Sequence, residues 1–194
     1  SNQRMSHVEF LQRMVISNGL SWVSVVEPNS NLADFNPDNI CQFIDMVKRE
    51  GRHPIPDNVS HFDFLRKIKL IVNDQPTRAS ILLFSNDPEQ YFGSAFVKLG
   101  RFRSPTLIVD DREMHGSLIS QLYGTMAWFR ERLETAFIIT GNPQREVKWE
   151  YPLDAIREAA INLLCHKDYT SIAHSQIRLY DERLELWNAG DLPL

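Results

Sequence analysis

The sequence predicts an α+β fold, in which a small helical N-terminal lobe is followed by a mixed or antiparallel sheet with helices packed on it. In residues 1–75, apolar side chains recur every three or four positions, which is typical of amphipathic helices. From about residue 76, short apolar runs rich in strand-forming residues become frequent. We therefore expect a helical domain at 1–75 and an α/β domain at 76–194 that is incomplete at its C-terminus.

Start and stop signals place three helices in the first domain. One begins near Ser6 and ends at Gly19, and the clearest runs from Asn36-Pro37 to Gly51. Ser60, with Asp63 three residues later, begins a third. We interpret the basic residues of that third helix as a solvated face, not as a DNA-reading surface. They are Arg66, Lys67 and Lys69.

The second domain alternates predicted strands with two longer helices. Amphipathic spacing predicts a long helix over Leu118–Leu133 and another that starts at Pro152. Apolar runs and turn residues predict strands at Ala79–Phe84, Ala95–Phe102, Leu107–Val109, Phe137–Ile139 and Glu146–Trp149, and a hairpin at Gln176–Asn188.

Composition excludes several classes of protein. The 194 residues are 43% hydrophobic and 24% charged, which argues against disordered, collagen-like and coiled-coil chains. With 21 basic and 25 acidic residues the net charge is −4, so the chain as a whole is a poor match for a polyphosphate backbone. Contact with DNA would therefore need a local basic patch or another domain.

The cysteines and apolar runs favour a cytoplasmic protein without a membrane partner. Cys41 and Cys165 lack the spacing of metal ligands and are typical of reduced intracellular thiols. No apolar run approaches the roughly 20 residues that span a bilayer. The chain begins without Met and stops soon after a strand-like run, so we expect a piece of a longer protein.

The helix after Pro152 carries the most informative polar residues. Its apolar face is predicted to lie on the sheet and consists of Leu153, Ile156, Ala160, Leu163 and Leu164. Glu158, Asn162, Cys165 and His166 are predicted on the opposite face, with Glu158 and Asn162 one turn apart. An Asn oxygen suits Mg²⁺, and a Glu can take a proton from an attacking water. Such a pair also occurs on many helices as an inert exposed feature.

The order of motifs along the chain resembles a known ATPase fold. A Glu-x3-Asn helix, a hairpin and the turn Asn188-Ala-Gly190 follow one another as in the gyrase, histidine-kinase and MutL (Bergerat-type) ATPases. In more detail, the run from Arg157 to Tyr169, with Trp187 to Pro193, resembles the RecG-related transcriptional regulator family. In that family a Schlafen-type AlbA DNA-binding domain precedes a degenerate ATPase-like domain.

The resemblance implies roles for particular residues. Glu158 would be the general base, and Asn162 would bind Mg²⁺ and the cofactor ATP. Asn188 and Gly190 would lie beside the nucleotide, and DNA would be bound by a domain that precedes this chain. Two positions depart from the ATPase pattern, because Asn188 replaces an Asp that accepts from adenine and Asp191 replaces a Gly.

His166 and Asp168 complete the predicted set of cofactor-binding residues. A purely structural role, without a nucleotide, is also compatible with their positions. At a helix C-terminus, His166 complements the helix dipole, and Asp168 accepts from the histidine ring or from backbone donors in the turn. The other five histidines are scattered, and the Walker, GxGxxG, GxSxG and HExxH signatures are absent.

Three functions remain open at this stage. The first, which we prefer, is a regulatory module of a transcriptional regulator that uses its ATPase-like fold for ligand sensing or dimerisation. The second is a Mg²⁺-dependent ATPase that acts on or with DNA. The third is a scaffold that self-associates through exposed aromatic residues such as Trp128 and Trp149.

Overall fold

The computed structural model describes residues 22–50, 59–138 and 146–190. In the N-terminal part, the elements are a 3₁₀ turn (Leu32–Asp34), helix α1 (Pro37–Glu50), helix α2 (His61–Lys67), strands β1 (Ile71–Val72) and β2 (Gln75–Pro76), and helix α3 (Arg78–Phe84). The helix predicted to end at Gly19 and the stop predicted at Gly51 lie outside the described residues.

Helix α1 begins where its sequence predicts. Asn36 accepts the backbone N–H of Asp38 through its side-chain oxygen at 2.8 Å, and Pro37 occupies the first helical position. The predicted apolar face is buried, with no member more than 3% exposed. It comprises Ile40, Phe43, Ile44 and Val47.

Helix α2 also begins at its predicted cap. The Ser60 hydroxyl accepts the backbone N–H of Asp63 at 3.1 Å and donates to the Asp63 carboxylate at 2.6 Å. On its exposed side, Arg66 forms ion pairs of 2.8 Å with Asp63 and Asp74. These two acidic partners accompany Arg66 in a solvated charged face of the kind we expected.

The segment Ala79–Phe84 was predicted as a strand, and this prediction is wrong, because the segment lies in helix α3. Thr77 begins the helix by accepting the backbone N–H of Ser80 at 3.4 Å. Every residue from Ala79 to Phe84 is buried. A helix that is packed on all sides has no polar face, so a short apolar run does not distinguish it from a buried strand.

The second part supplies the sheet and the helices that pack on it. Its elements are a 3₁₀ turn (Pro88–Gln90), strands β3 (Val97–Ser104) and β4 (Leu107–Met114), helix α4 (Leu118–Arg132), strands β5 (Thr135–Ile138) and β6 (Glu146–Trp149), helix α5 (Leu153–Cys165), and strands β7 (Ser175–Leu179) and β8 (Leu184–Trp187).

The main sheet has the strand order β4-β3-β7-β8. Strand β3 pairs antiparallel with β4 and parallel with β7, and β7 pairs antiparallel with β8. Strands β5 and β6 form a separate antiparallel pair, as predicted, although their connecting turn lies outside the described residues. The predicted α+β fold with a mixed sheet is thus confirmed.

One hydrophobic core extends across the domain boundary that we predicted near residue 75. It includes Val23 and Phe43 from the N-terminal part and Leu99 and Ile177 from the sheet. The boundary stays a prediction, and buried residues of both parts belong to the same core.

Trp128 is buried, contrary to the expectation that it is exposed for self-association. It is 1% exposed and packs edge-on against Phe129, with ring centroids 5.1 Å apart. Its indole N–H donates to Asp110 at 2.7 Å, and Arg132 donates to the same carboxylate oxygen at 2.8 Å. These hydrogen bonds hold the pKa of Asp110 below its usual value, that of Arg132 contributing most. Trp128 therefore links helix α4 to strand β4.

Exposed apolar residues lie on both edge strands of the main sheet. Leu107, Ile108 and Val109 on β4 are each about half exposed, and Trp187 on β8 is 47% exposed. An edge strand presents backbone groups without strand partners, so the apolar edge at β4 is a surface that could pair with a second chain.

Candidate functional site

Helix α5 carries the predicted pair Glu158 and Asn162, and more of its surface is buried than we expected. Pro152 is its N-cap, one position before the first helical residue. Cys165 was predicted on the solvent face, and this prediction is wrong, because Cys165 is 1% exposed. Ile161, one turn earlier, is buried as well. The reason is that α5 packs against helix α4 as well as against strand β8, so two stripes of side chains are covered.

Glu158 and Asn162 remain on the accessible side of α5. Glu158 is exposed and Asn162 is half-buried. They lie one helical turn apart, which is about 6 Å along the axis. Within the described ranges, no hydrogen bond or ion pair of the Glu158 carboxylate to another residue is found. The spacing agrees with the predicted pair, but Glu158 lies in open solvent.

Asn188 is brought to the C-terminal end of α5, where both ends of its amide are engaged. Its Nδ2 donates to the backbone carbonyl of Leu163 at 2.8 Å, and its Oδ1 accepts from the Ser175 hydroxyl at 3.0 Å. The last carbonyls of a helix have no partner within the helix, so this contact acts as a C-terminal cap. Asn188 thus joins α5 to the end of β8 and the start of β7.

Gly190 lies against the same helix end. Its φ is +150°, and a Cβ at this position would be 2.9 Å from the backbone oxygen of His166. Beside it, the N–H of Asp168 donates to the carbonyl of Ala189 at 2.7 Å. A side chain here would displace the turn from the helix, so the glycine is required by close packing.

Asp168 closes the turn that follows α5. Its carboxylate accepts the backbone N–H of Thr170 at 2.9 Å and the Thr170 hydroxyl at 2.6 Å. These bonds match the prediction that Asp168 accepts backbone donors in the turn. The structure therefore brings together four predicted site residues, His166, Asp168, Asn188 and Gly190, and places Glu158 two turns away along the helix.

Lys167, which follows His166 at the end of α5 and complements the helix dipole there, is a buried cation that the sequence did not predict as a site residue. The whole residue is only 3% exposed, and its Nζ donates to the backbone oxygen of Ser94. The Nζ also lies 5.3 Å from the centre of the Tyr169 ring. Burial lowers the pKa of Lys167 to about 8, because the charged form has lost its hydration. No carboxylate of the described segments lies within ion-pair distance of it.

A cleft of about 590 Å³ lies away from these residues, between the N-terminal part and the turn after α5. It is lined by Trp22, Glu27, Arg78, Tyr91, Phe92, Gly93, Ser94 and residues 169–172. None of the predicted site residues lines it. These residues come from four segments far apart in sequence, so no local motif indicates the cleft.

The Asn188 amide is oriented by the fold, because its Nδ2 donates to Leu163 and its Oδ1 accepts from Ser175. Each bond uses one of the two hydrogen-bonding capacities of its atom, and the adenine-binding role that the resemblance implies stays a prediction. No group of three or more His, Cys, Asp or Glu within the described ranges is placed to hold a metal. Asn162 and Glu158 stay as a predicted Mg²⁺ ligand and base, and no hydrolysis step follows from this arrangement.

The helices of the described segments are too short or too polar to cross a membrane.

Comparison with known proteins identifies a similar fold. No family model and no curated protein matches the chain. Among solved structures, it is similar to the DIP2311 protein from Corynebacterium diphtheriae, with a TM-score of 0.69 and 17% sequence identity. The match covers 97% of this chain and 37% of that one, so this chain spans just over a third of that protein's length. At this identity the match establishes the fold.

Replacing Asn188 by Asp, the residue of the ATPase pattern, is expected to destabilise the protein. The carboxylate cannot donate to the Leu163 carbonyl, and it places a negative charge against that oxygen and beside a helix C-terminus. We expect a loss of about 1–3 kcal/mol in the free energy of unfolding at pH 7, measured by urea denaturation. The matched control is Asn73→Asp in the exposed β1–β2 turn, which should change stability little. An N188D protein as stable as the wild type would contradict the capping role.

The buried Lys167 should make stability rise with pH in the alkaline range. Its pKa is about 8 in the folded protein and roughly 10.4 in the unfolded chain, so between these values the unfolded chain binds more protons. The stability cost of the buried charge is therefore present below pH 8 and is relieved as the pH rises toward 10.4.

The Lys167→Met variant should lack this rise, as measured by urea denaturation at pH values from 7 to about 10. Lys98→Met is the control, because the hydrogen bond to Glu113 raises the pKa of Lys98. Parallel stability curves for the wild type and Lys167→Met would contradict the assignment.

Proposed function

We propose that this chain is the regulatory module of a transcriptional regulator and that its ATPase-like fold senses a ligand or mediates association without hydrolysing ATP. The resemblance of the α5 segment and the β8 turn to the RecG-related family supports the regulatory class. The α+β fold, with the glycine turn packed on the end of α5, is compatible with that resemblance.

The observation that carries the proposal is the bonding of Asn188. Its Nδ2 caps α5 and its Oδ1 accepts from Ser175, so the orientation of this side chain is set by the fold before any ligand binds. The polar groups of the turn thus stabilise the fold. Exposure of Glu158 supports the same conclusion, since hydrolytic sites exclude bulk water around their reacting groups.

In this proposal, DNA is contacted by another part of a longer protein. The net charge of −4 and the pairing of Arg66 with Asp63 and Asp74 make this chain a poor binder of phosphates, which favours DNA contact by another part of the protein. Self-association stays a prediction, and its proposed contact is the edge strand β4. Light scattering over a range of protein concentrations would detect a dimer.

ATP turnover distinguishes the regulatory proposal from the alternative, a Mg²⁺-dependent ATPase. Phosphate release from Mg²⁺-ATP would be measured for the wild type and for Glu158→Ala, with the exposed Glu182→Ala as the matched control. Calorimetric titration of Mg²⁺-ATP into the wild type and Asn162→Ala would report binding separately from turnover.

The regulatory proposal predicts no turnover above the background of the buffer and no effect of either glutamate substitution. Turnover that requires Mg²⁺, is abolished by Glu158→Ala and survives Glu182→Ala would overturn it and establish the ATPase. Binding that is lost in Asn162→Ala, without turnover, would identify the nucleotide as the sensed ligand.

A further inference from the structure

The open cleft between the N-terminal part and the turn after α5 has the dimensions of a small-molecule site. Its volume of about 590 Å³ falls within the range of roughly 300–1,000 Å³ that is usual for such sites. It is lined by aromatic rings, hydroxyl groups, one arginine and one glutamate, and Glu158, Asn162 and Asn188 do not line it.

Arg78 is held in the cleft by two contacts that leave its outer nitrogens available. Its Nε donates to Glu27 at 3.2 Å, and its guanidinium carbon lies 4.8 Å from the centre of the Trp22 ring. No hydrogen bond of Nη1 or Nη2 to another residue of the described segments is found. The side chain is only 24% exposed. A guanidinium oriented in this way presents a planar pair of donors that matches a carboxylate or a phosphate.

Aromatic rings form the wall next to Arg78. Trp22 meets Phe92 edge-on at 4.8 Å between ring centroids and lies nearly parallel to Tyr169, at 6.1 Å and 8°. Phe92 and Tyr169 are buried, so the wall is fixed by the core, while Trp22 remains partly accessible. Such a wall favours a flat apolar ring as the neighbour of the arginine.

Charges of both signs surround the cleft. The Glu27 carboxylate is paired with Arg78, and the Asp34 carboxylate accepts from the Tyr91 hydroxyl at 2.7 Å. Behind the wall lies the Lys167 ammonium, bonded to the carbonyl of Ser94. Burial lowers the pKa of Lys167, whereas the nearby Asp168 and Glu89 carboxylates raise it and so offset part of its charge. The outer nitrogens of Arg78, which lines the cleft, are therefore the groups that would recognise an anion.

We propose that this cleft binds a small aromatic anion, with the ring against Trp22 and the anionic group on the outer nitrogens of Arg78. Two outer N–H donors and a flat apolar wall are the complement of an aromatic carboxylate or of a ring bearing a similar planar anionic group.

The test compares two probes of the same shape that differ in charge. Calorimetric titration with 2-naphthoate and with its neutral amide, 2-naphthamide, measures how much the negative charge contributes. We expect the acid to bind the wild type about tenfold more tightly than the amide, as one charge-assisted bidentate contact provides.

Two substitutions locate the binding. Arg78→Gln should remove the preference for the acid, whereas Arg66→Gln, on an exposed arginine elsewhere, should leave it unchanged. Gly93→Trp should abolish binding of both probes, because a Cβ at Gly93 meets no atom within 4 Å and a large side chain there fills the cleft without disturbing the fold. Circular dichroism and thermal melts would verify that each variant is folded.

The proposal is sustained if the acid is preferred, if Arg78→Gln removes that preference and if Gly93→Trp blocks the site. Equal affinity for acid and amide, no binding of either probe, or binding that persists in the folded Gly93→Trp variant would overturn it.

Discussion

Every α-helix ends with carbonyl groups that have no partner inside the helix, and in this protein the last residues of helix α5 are largely buried. Two side chains that follow the helix in sequence donate to these carbonyls. Asn188, after β8, donates to the Leu163 carbonyl at 2.8 Å, and the buried Tyr169 hydroxyl donates to the Leu164 carbonyl at 2.7 Å. The end of α5 therefore fixes the glycine turn on one side and the loop that walls the cleft on the other.

This constraint links the fold to the function that we propose. A residue that caps a buried helix end has to keep its hydrogen bonds, since breaking one leaves an unsatisfied carbonyl that costs about 1–3 kcal/mol. The resemblance implies that Asn188 would lie beside a nucleotide, and in this structure it caps the end of α5. The rings that wall the cleft beside Arg78 do not have this requirement, because Phe92 and Tyr169 are held in place by their burial in the core.

Sequence signals were sufficient where the determining interaction is local. The caps at Asn36 and Ser60 and the hairpin of β7 and β8 were predicted because neighbouring residues specify them. Helix α3 was misassigned because it is buried on all sides and leaves no periodic pattern.

Features that depend on distant segments could not be predicted in the same way. Trp128 and Cys165 are buried by elements whose positions are set only in the folded chain. The cleft is assembled from Trp22, Arg78 and the turn at Tyr169, which are separated by more than half of the sequence. Lys167 follows a polar residue and precedes another, so its burial has no sign in the local pattern.

Hydrogen exchange at the Asp168 amide tests most directly whether the contact between the end of α5 and the glycine turn, called here the joint, is part of the fold itself. The amide donates to the Ala189 carbonyl at 2.7 Å, where the end of α5 meets the glycine turn. We expect it to exchange as slowly as the amides of strand β7 in the protein alone, and Mg²⁺-ATP should leave its rate unchanged. Rapid exchange that slows only when Mg²⁺-ATP is added would contradict this account, because the nucleotide would then be forming the joint.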